Sequence, residues 1–164
     1  DVFAGYLLFD AVIANQDRNH QNWGVIQYRD ANRSMKAELA PSFDHASSLG
    51  RSMGDREREG RLATKDRGFA IEAFAKKAAT KFVAEPGSEA GSPRRMSTLV
   101  AFEWAVRRRP AAGRVWIDRL RAFDPNEFGA IVSAVPELLM SSAARRFSVR
   151  LMELNRETLL SVLT

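Results

Sequence analysis

The sequence predicts a mainly α-helical fold with one small β-hairpin, which places it in the α+β class. Apolar residues recur at helical spacing near the start of the chain and over most of residues 69–164. β-Branched and aromatic residues cluster instead at residues 23–28, and a polar stretch and a second short run follow them, in the order strand, turn, strand. Because 45% of the 164 residues are hydrophobic, we expect a single domain with a sizeable core.

The first predicted helix covers residues 2–14. Large apolar side chains lie on most of its surface, which indicates a buried helix that leads from the core into the polar segment after it. Asn15 is expected to end this helix, because Asn tolerates the left-handed backbone conformation. Asp10 is a charged residue within this apolar stretch, and we expect it to face solvent or a backbone amide.

The rest of the chain is predicted to contain further helices, separated by polar or flexible segments. Alternating charges in residues 51–67 indicate a solvated loop or a short helix, and the Pro and Gly residues of 84–93 indicate a flexible break. Asp124, Pro125 and Glu127 have the pattern of a helix start. The predicted helices cover residues 69–82, 96–108, 115–120, 124–135 and 141–163.

Composition excludes some classes of protein. The chain has no cysteine, so it has neither a disulfide framework nor a thiolate site. No apolar run approaches about 18 residues, so we predict no membrane span and no signal peptide, and a cytoplasmic protein. The net charge of +5 permits nucleic-acid binding but suggests it only weakly. Three arginines at 107–109 are better explained by the negative end of a helix dipole.

Three polar residues within residues 15–50 have the chemistry that phosphoryl transfer requires. Asp17 and Asn22 have the D-x-x-x-x-N spacing of a kinase catalytic loop, in which Asp accepts the hydroxyl proton and Asn binds a metal ion. If the hairpin turn is centred near Arg33, an antiparallel ladder pairs Asn22 with Asp44 at a backbone separation of roughly 5 Å. Their oxygen atoms would share one Mg²⁺, with Asp17 beside it as the base.

Two motifs in this region resemble those of the HipA-like kinases. That family carries a catalytic D-R-H-x-x-N-x-G segment and a later L-A-P-x-[FY]-D segment. The resemblance covers about residues 7–49, roughly a quarter of the chain. One position departs from it, because Asn19 stands where the family has His. The matching segments are Asp17-Arg18-Asn19-His20-Gln21-Asn22-Trp23-Gly24 and Leu39-Ala40-Pro41-Ser42-Phe43-Asp44.

The resemblance implies the C-terminal lobe of a protein-kinase-like fold, with catalytic Asp17, and with Asn22 and Asp44 binding Mg²⁺ and the nucleotide. It also implies ATP as a cofactor, a protein substrate with a Ser or Thr acceptor, and a DNA-binding antitoxin partner in a toxin–antitoxin system. The chain shows neither a Gly-rich phosphate-covering loop nor a V-A-I-K-type lysine. We therefore expect a nucleotide-clamping lobe upstream, and little activity from this part alone.

Other interpretations stay open on the sequence alone. In one of them, Asp17 simply caps a helix or a turn, and Asn22 and Asp44 are loop residues that bond their own backbone. The chain as a whole fits two further functions, a non-catalytic module that binds a protein or DNA through a basic surface, and a lipid or small-molecule kinase. No metal role is expected for His20 or His45, because neither has a Cys or a second His at zinc-site spacing.

Overall fold

The computed structural model describes residues 1–83 and 95–161, and this part of the chain is mainly helical. It contains seven helices and two antiparallel sheets of two strands each, which confirms the α+β class. The helices are α1 Val2–Val12, α2 Asp55–Ala63, α3 Ile71–Lys77, α4 Thr98–Arg108, α5 Pro110–Ala122, α6 Asn126–Ser133 and α7 Ser142–Ser161. The strands are β1 Val25–Arg29, β2 Met35–Leu39, β3 Ala79–Val83 and β4 Arg95–Ser97.

Helix α1 lies at the centre of the fold, as its apolar surface predicts. It packs against α4, α5 and α7, and its residues Leu7 and Ala11 are buried with Phe102 of α4. Gly5 allows the Trp116 ring of α5 to approach closely, since a Cβ at this position would overlap the indole. Asn155 of α7 donates a hydrogen bond of 3.1 Å to the carbonyl of Val12, one of the last carbonyls of α1.

The end of α1 differs from the prediction. The helix ends at Val12, and the left-handed conformation belongs to Ala14, whose φ is 51°. Asn15 was predicted to end the helix; its side chain instead donates to Asp10, at 2.8 Å. The chain turns sharply here because the amide of Asn15 bonds back to the carbonyl of Asp10, at 2.9 Å.

The predicted hairpin forms, but its register differs by two residues from the one expected. Val25 pairs with Leu39, so the turn is centred on Asn32 and Asn22 does not pair with Asp44 in the ladder. The carboxylate of Asp30 is the cause, because it accepts from the amides of Asn32 and Ser34, each at 2.9 Å. A shift of two keeps every side chain on its expected face.

The helix predicted for residues 69–82 is wrong in its second half. Helix α3 ends at Lys77, and residues 79–83 form β3, which pairs with β4. Helix α4 consequently begins at Thr98, where the Ser97 hydroxyl caps it by accepting from the amide of Val100 at 3.1 Å. The break predicted at residues 84–93 lies outside the described residues.

The remaining helices agree more closely with the sequence. Residues 51–67 contain the short helix α2, and α6 and α7 lie within the ranges predicted for them. Helix α5 is longer than predicted, because Pro110 is its first residue and not merely the end of α4. Asp124 accepts from the amide of Asn126 at the start of α6, at 3.0 Å. None of the helices in residues 1–83 and 95–161 is long and apolar enough to cross a membrane.

Candidate functional site

The guanidinium of Arg18 connects every segment that forms the candidate site. It is fully buried, and its Nε and Nη2 donate to the two carboxylate oxygens of Asp10 at 2.5 and 2.9 Å. Nη1 donates to the carbonyls of Asn22 and Phe43 at 2.5 and 3.2 Å, and Nη2 to the Ser42 hydroxyl at 2.8 Å. One side chain therefore holds together α1, the loop after it and the segment that follows β2.

Asp10 does not face solvent or a backbone amide, so that prediction is wrong. Its carboxylate is buried and is bonded to the side chains of Arg18 and Asn15. A buried carboxylate requires a partner of opposite charge, and Arg18 supplies one eight residues later. The lone charge in the apolar helix was a usable signal, but its partner lies in a loop whose path the sequence does not show.

Asp17 lies at the start of the loop with a fixed backbone and a reachable carboxylate. Its amide donates to Oδ1 of Asn15 at 3.2 Å, and the amide of Gln16 donates to the carbonyl of Ser47 at 3.0 Å. The Asp17 side chain is 29% exposed and forms an ion pair with Lys81 of β3. A carboxylate held in this way is accessible to a hydroxyl group that approaches from solvent.

Asn22 and Asp44 are brought together by the structure, although not by the strand pairing that was expected. Nδ2 of the buried Asn22 donates to Oδ2 of the exposed Asp44 at 2.6 Å. Both residues lie beyond the hairpin, whose last backbone hydrogen bond joins Ala40 to Gly24. Asp44 has a φ of 56°, in the left-handed region that Asp tolerates better than most residues do. This conformation turns the chain after the hairpin and leaves the carboxylate beside Asn22.

Asn19, the residue that departs from the family motif, holds the loop together. Its Nδ2 lies 2.6 Å from Oδ1 of Asn22 and 2.9 Å from the carbonyl oxygen of Asp17. Its backbone amide also donates to Oδ1 of Asn22, at 3.0 Å. The side chain at this position therefore links the candidate base to the candidate metal ligand.

Asn22 and Asp44 each carry a side-chain oxygen of the kind that Mg²⁺ prefers. Mg²⁺ prefers oxygen ligands at about 2.1 Å and is commonly held by one or two protein groups together with phosphates and water. Ligands in adjacent octahedral positions then lie about 3 Å apart, and the 2.6 Å hydrogen bond between Asn22 Nδ2 and Asp44 Oδ2 places the two side chains within that range of each other. Nδ2 of Asn22 faces Asp44 while its Oδ1 accepts from the amide and the side chain of Asn19, so Asn22 would bind a metal ion only after its Oδ1 turned away from Asn19. Residues 1–83 and 95–161 contain no cluster of three His, Cys, Asp or Glu residues that could hold a metal ion.

His45 is a structural neighbour of this site. Its Nε2 lies 2.9 Å from the Ser42 hydroxyl, and its ring packs edge-on against Phe9. Burial lowers the pKa of His45 below its ordinary value, and Arg18 acts in the same direction, while Asp10 and Asp44 oppose the shift. The Ser42 oxygen that lies beside His45 also accepts a hydrogen bond from Arg18. His20 is exposed in the loop.

No protein-family model matches this chain, and no curated protein or solved structure matches it significantly. The functional interpretation of Asp17, Asn22 and Asp44 therefore rests on their chemistry and geometry and on the two motifs. Sequence reasoning missed the structural roles of Asp10, Arg18 and Lys81. Nothing in the sequence indicated that Lys81 would approach Asp17, because Lys81 was predicted to lie in a helix and not in strand β3.

Proposed function

We propose that this chain is the C-terminal lobe of a HipA-like kinase, which transfers the γ-phosphoryl group of Mg·ATP to a Ser or Thr hydroxyl. The observation that carries the proposal is the 2.6 Å approach of Asn22 Nδ2 to Asp44 Oδ2. These residues are distant in sequence, and they meet beside the loop that carries Asp17. An Asp base next to an Asn and Asp pair is the arrangement that phosphoryl transfer uses.

In this proposal Asn22 and Asp44 would hold Mg²⁺. The ion, when bound, would neutralise charge on the phosphate oxygens. Asp17 does not bind the metal; its carboxylate orients the acceptor hydroxyl and accepts its proton. The acceptor oxygen then attacks the γ-phosphorus, and ADP leaves.

The buried contacts of Arg18 give these residues their pre-organisation. Positioning and charge stabilisation make up most of the catalysis of phosphoryl transfer, so a loop that holds its shape before the substrate arrives is an advantage. Arg18 bonds the carbonyls of both Asn22 and Phe43, which immediately precedes Asp44. It thereby fixes the two candidate ligands relative to each other.

The exposed hairpin favours a protein partner for the second candidate function, a non-catalytic module that binds a protein or DNA. Every residue of β1 is exposed, and so are the apolar side chains of Val25, Ile26, Tyr28 and Met35. Apolar groups on both faces of a two-stranded sheet are expected where another surface covers them. Binding of DNA that weakens steeply with salt, without any phosphoryl transfer, would favour this module. A lipid or small-molecule kinase shares the site of the first proposal and differs from it only in the acceptor.

The experiment that tests the kinase proposal is transfer of labelled γ-phosphate by the whole natural protein, with the protein itself and a cell extract as acceptors. We expect Asp17→Asn to lower the rate by about 10²–10⁴-fold and to leave Mg·ATP binding intact. Asp44→Ala is expected to weaken Mg·ATP binding. The matched control Asp118→Asn changes an exposed aspartate of α5 and should behave as wild type. Equal rates for wild type and Asp17→Asn would remove the proposed base.

A further inference from the structure

We propose that Lys81 is a second catalytic residue, whose ammonium group neutralises Asp17 before substrates bind and then donates to the phosphoryl group in transfer. This inference rests on the proposed kinase function and adds a residue that neither motif contains. It starts from the ion pair between Lys81 Nζ and Asp17 Oδ1. In the described part of the chain, no other side chain is bonded to the Asp17 carboxylate.

The backbone of β3 is shaped to bring Lys81 to the loop. Ala79 pairs with Ser97 and Val83 pairs with Arg95, so five residues of β3 lie opposite three residues of β4. Such a bulge re-aims the side chains of a strand, and bulges are frequent beside active sites. The amide of Lys81 donates to the carbonyl of Arg18 at 2.9 Å and not to β4. Strand β3 is therefore joined to the residue that follows the candidate base.

Thr80 holds this bulge in shape. It is fully buried, and its hydroxyl donates to the carbonyl of Met96 at 3.1 Å and accepts from the amide of Phe82 at 3.1 Å. These bonds replace ladder bonds that the bulge interrupts. Because Thr80 is fixed on one side and Arg18 holds the Lys81 amide on the other, the root of the Lys81 side chain has a defined position.

The loop between α1 and β1 has no lysine or arginine that is available to bind a phosphate. Arg18 lies next to Asp17, but its guanidinium is buried and its nitrogens are bonded to Asp10, Ser42 and two carbonyls. Lys81 is 46% exposed, so its ammonium can follow a substrate without leaving solvent. Charge stabilisation of the transferring group is the main contribution that an enzyme makes to this reaction.

The proposed reaction transfers the γ-phosphoryl group of ATP to the acceptor hydroxyl. The acceptor hydroxyl bonds to Asp17 and displaces Lys81, whose ammonium turns to a γ-phosphoryl oxygen. The bond from the γ-phosphorus to the leaving oxygen of ADP breaks while the bond to the acceptor oxygen forms. The hydroxyl proton passes to the Asp17 carboxylate, and Lys81 keeps its proton throughout. The phosphorylated acceptor and ADP are the products.

A purely structural role predicts a different behaviour. An ion pair between two partly exposed side chains contributes little to stability. Lys36 and Asp30 form a comparable pair on the hairpin, at 3.7 Å, with side chains that are 54% and 27% exposed. Lys36→Met is therefore a matched control for Lys81→Met, because each variant removes a lysine from a partly exposed ion pair with an aspartate.

The test measures phosphoryl transfer by the whole natural protein, together with its affinity for Mg·ADP and for Mg·ADP with aluminium fluoride, which imitates the phosphoryl group in transfer. For Lys81→Met we expect a loss in kcat of about 10²–10³-fold and a similar loss in affinity for the aluminium fluoride complex. Affinity for Mg·ADP and the melting temperature should remain those of wild type. Lys81→Arg should recover at least about tenfold of the lost rate, and Lys36→Met should lose nothing.

Two results would overturn the inference while leaving the kinase function in place. One is a Lys81→Met rate within about twofold of wild type. The other is a loss of rate that Lys81→Arg does not recover and that comes either with a loss of Mg·ADP affinity by the same factor or with a lowered melting temperature. A wild-type protein that binds no Mg·ATP and transfers no phosphate would instead overturn the proposed function, and the role of Lys81 with it.

Discussion

Asp10 and Arg18 form an ion pair through two hydrogen bonds, of 2.5 and 2.9 Å, and solvent reaches neither side chain. The pair joins the central helix of the core to the loop that carries the candidate base. A guanidinium and a carboxylate that bond through two parallel contacts have a fixed mutual orientation. The geometry of the candidate site therefore depends on an ion pair that is buried in the interior of the protein.

Removal of one partner of this pair should be costly. Asp10→Ala leaves the Arg18 guanidinium buried without a counter-charge, and we expect the free energy of unfolding to fall by about 3–5 kcal/mol. Chemical denaturation of wild type and variant measures this difference. The matched control is Asp118→Ala, which breaks the exposed pair of Asp118 and Arg121 and should cost about 0–1 kcal/mol. Similar losses for both variants would contradict the importance given to the buried pair.

Two glycines in helices should respond in opposite ways to the same substitution. A Cβ on Gly5 would overlap the Trp116 ring between α1 and α5, so Gly5→Ala should destabilise the protein by about 1–3 kcal/mol. Gly129 in α6 has nothing within 4 Å of its Cβ position, and Gly129→Ala should stabilise by about 0.5–1 kcal/mol through helix propensity. Thermal unfolding of wild type and both variants measures these changes in stability. A stabilised Gly5→Ala protein would show that α1 and α5 do not pack this closely.

Stability should fall in acid in part because of Asp55. A hydrogen bond from Ser141 and another from Arg58 lower the pKa of Asp55 below its ordinary value of 3.8. The folded protein therefore holds Asp55 charged at a pH where the unfolded chain binds a proton. Its contribution to stability is complete above pH 3.8 and is lost as the pH falls through the lowered folded pKa.

Denaturation at several pH values between about 5 and 2 measures this contribution as a slope. Asp55→Asn should lose stability less steeply with falling pH than wild type does. Ser141→Ala removes the largest cause of the shift and should also flatten the slope, although it weakens α7 at every pH because the Ser141 hydroxyl accepts from the amide of Ala144. Coincident slopes for wild type and Asp55→Asn would exclude a role for this carboxylate.

Local sequence patterns were sufficient to predict the helices whose ends are set by neighbouring residues. Helix α6 follows Pro125 and an Asp124 carboxylate that accepts from the amide of Asn126, and α7 carries an apolar face over its whole length, so both were predicted close to their observed ranges. Strand β3 was missed because its partner β4 lies across residues 84–94 in sequence. Residues 79–83 are compatible with a helix on apolar spacing alone, and pairing with β4 overrides that preference.

The candidate site divides in the same way. Asp17, Asn22 and Asp44 were identified by residue type, spacing and motif, which are properties of the chain read in order. The sequence also indicated that the hairpin would bring Asn22 near Asp44, but the turn formed by Asp30 changes the register, and the two side chains meet beyond the ladder. Their proximity was predicted, and its cause was not.

By itself the sequence determined the α+β class, the central buried helix and the three polar residues of the candidate site, because each follows from neighbouring residues or a fixed spacing. Only the tertiary structure decided that Arg18 would be buried against Asp10 and that Lys81 would reach Asp17. Both contacts join residues whose separation in space is set by the packing of other elements. A charged side chain has no preferred partner until the fold brings one within reach. Burial then makes the loss of that partner strongly destabilising.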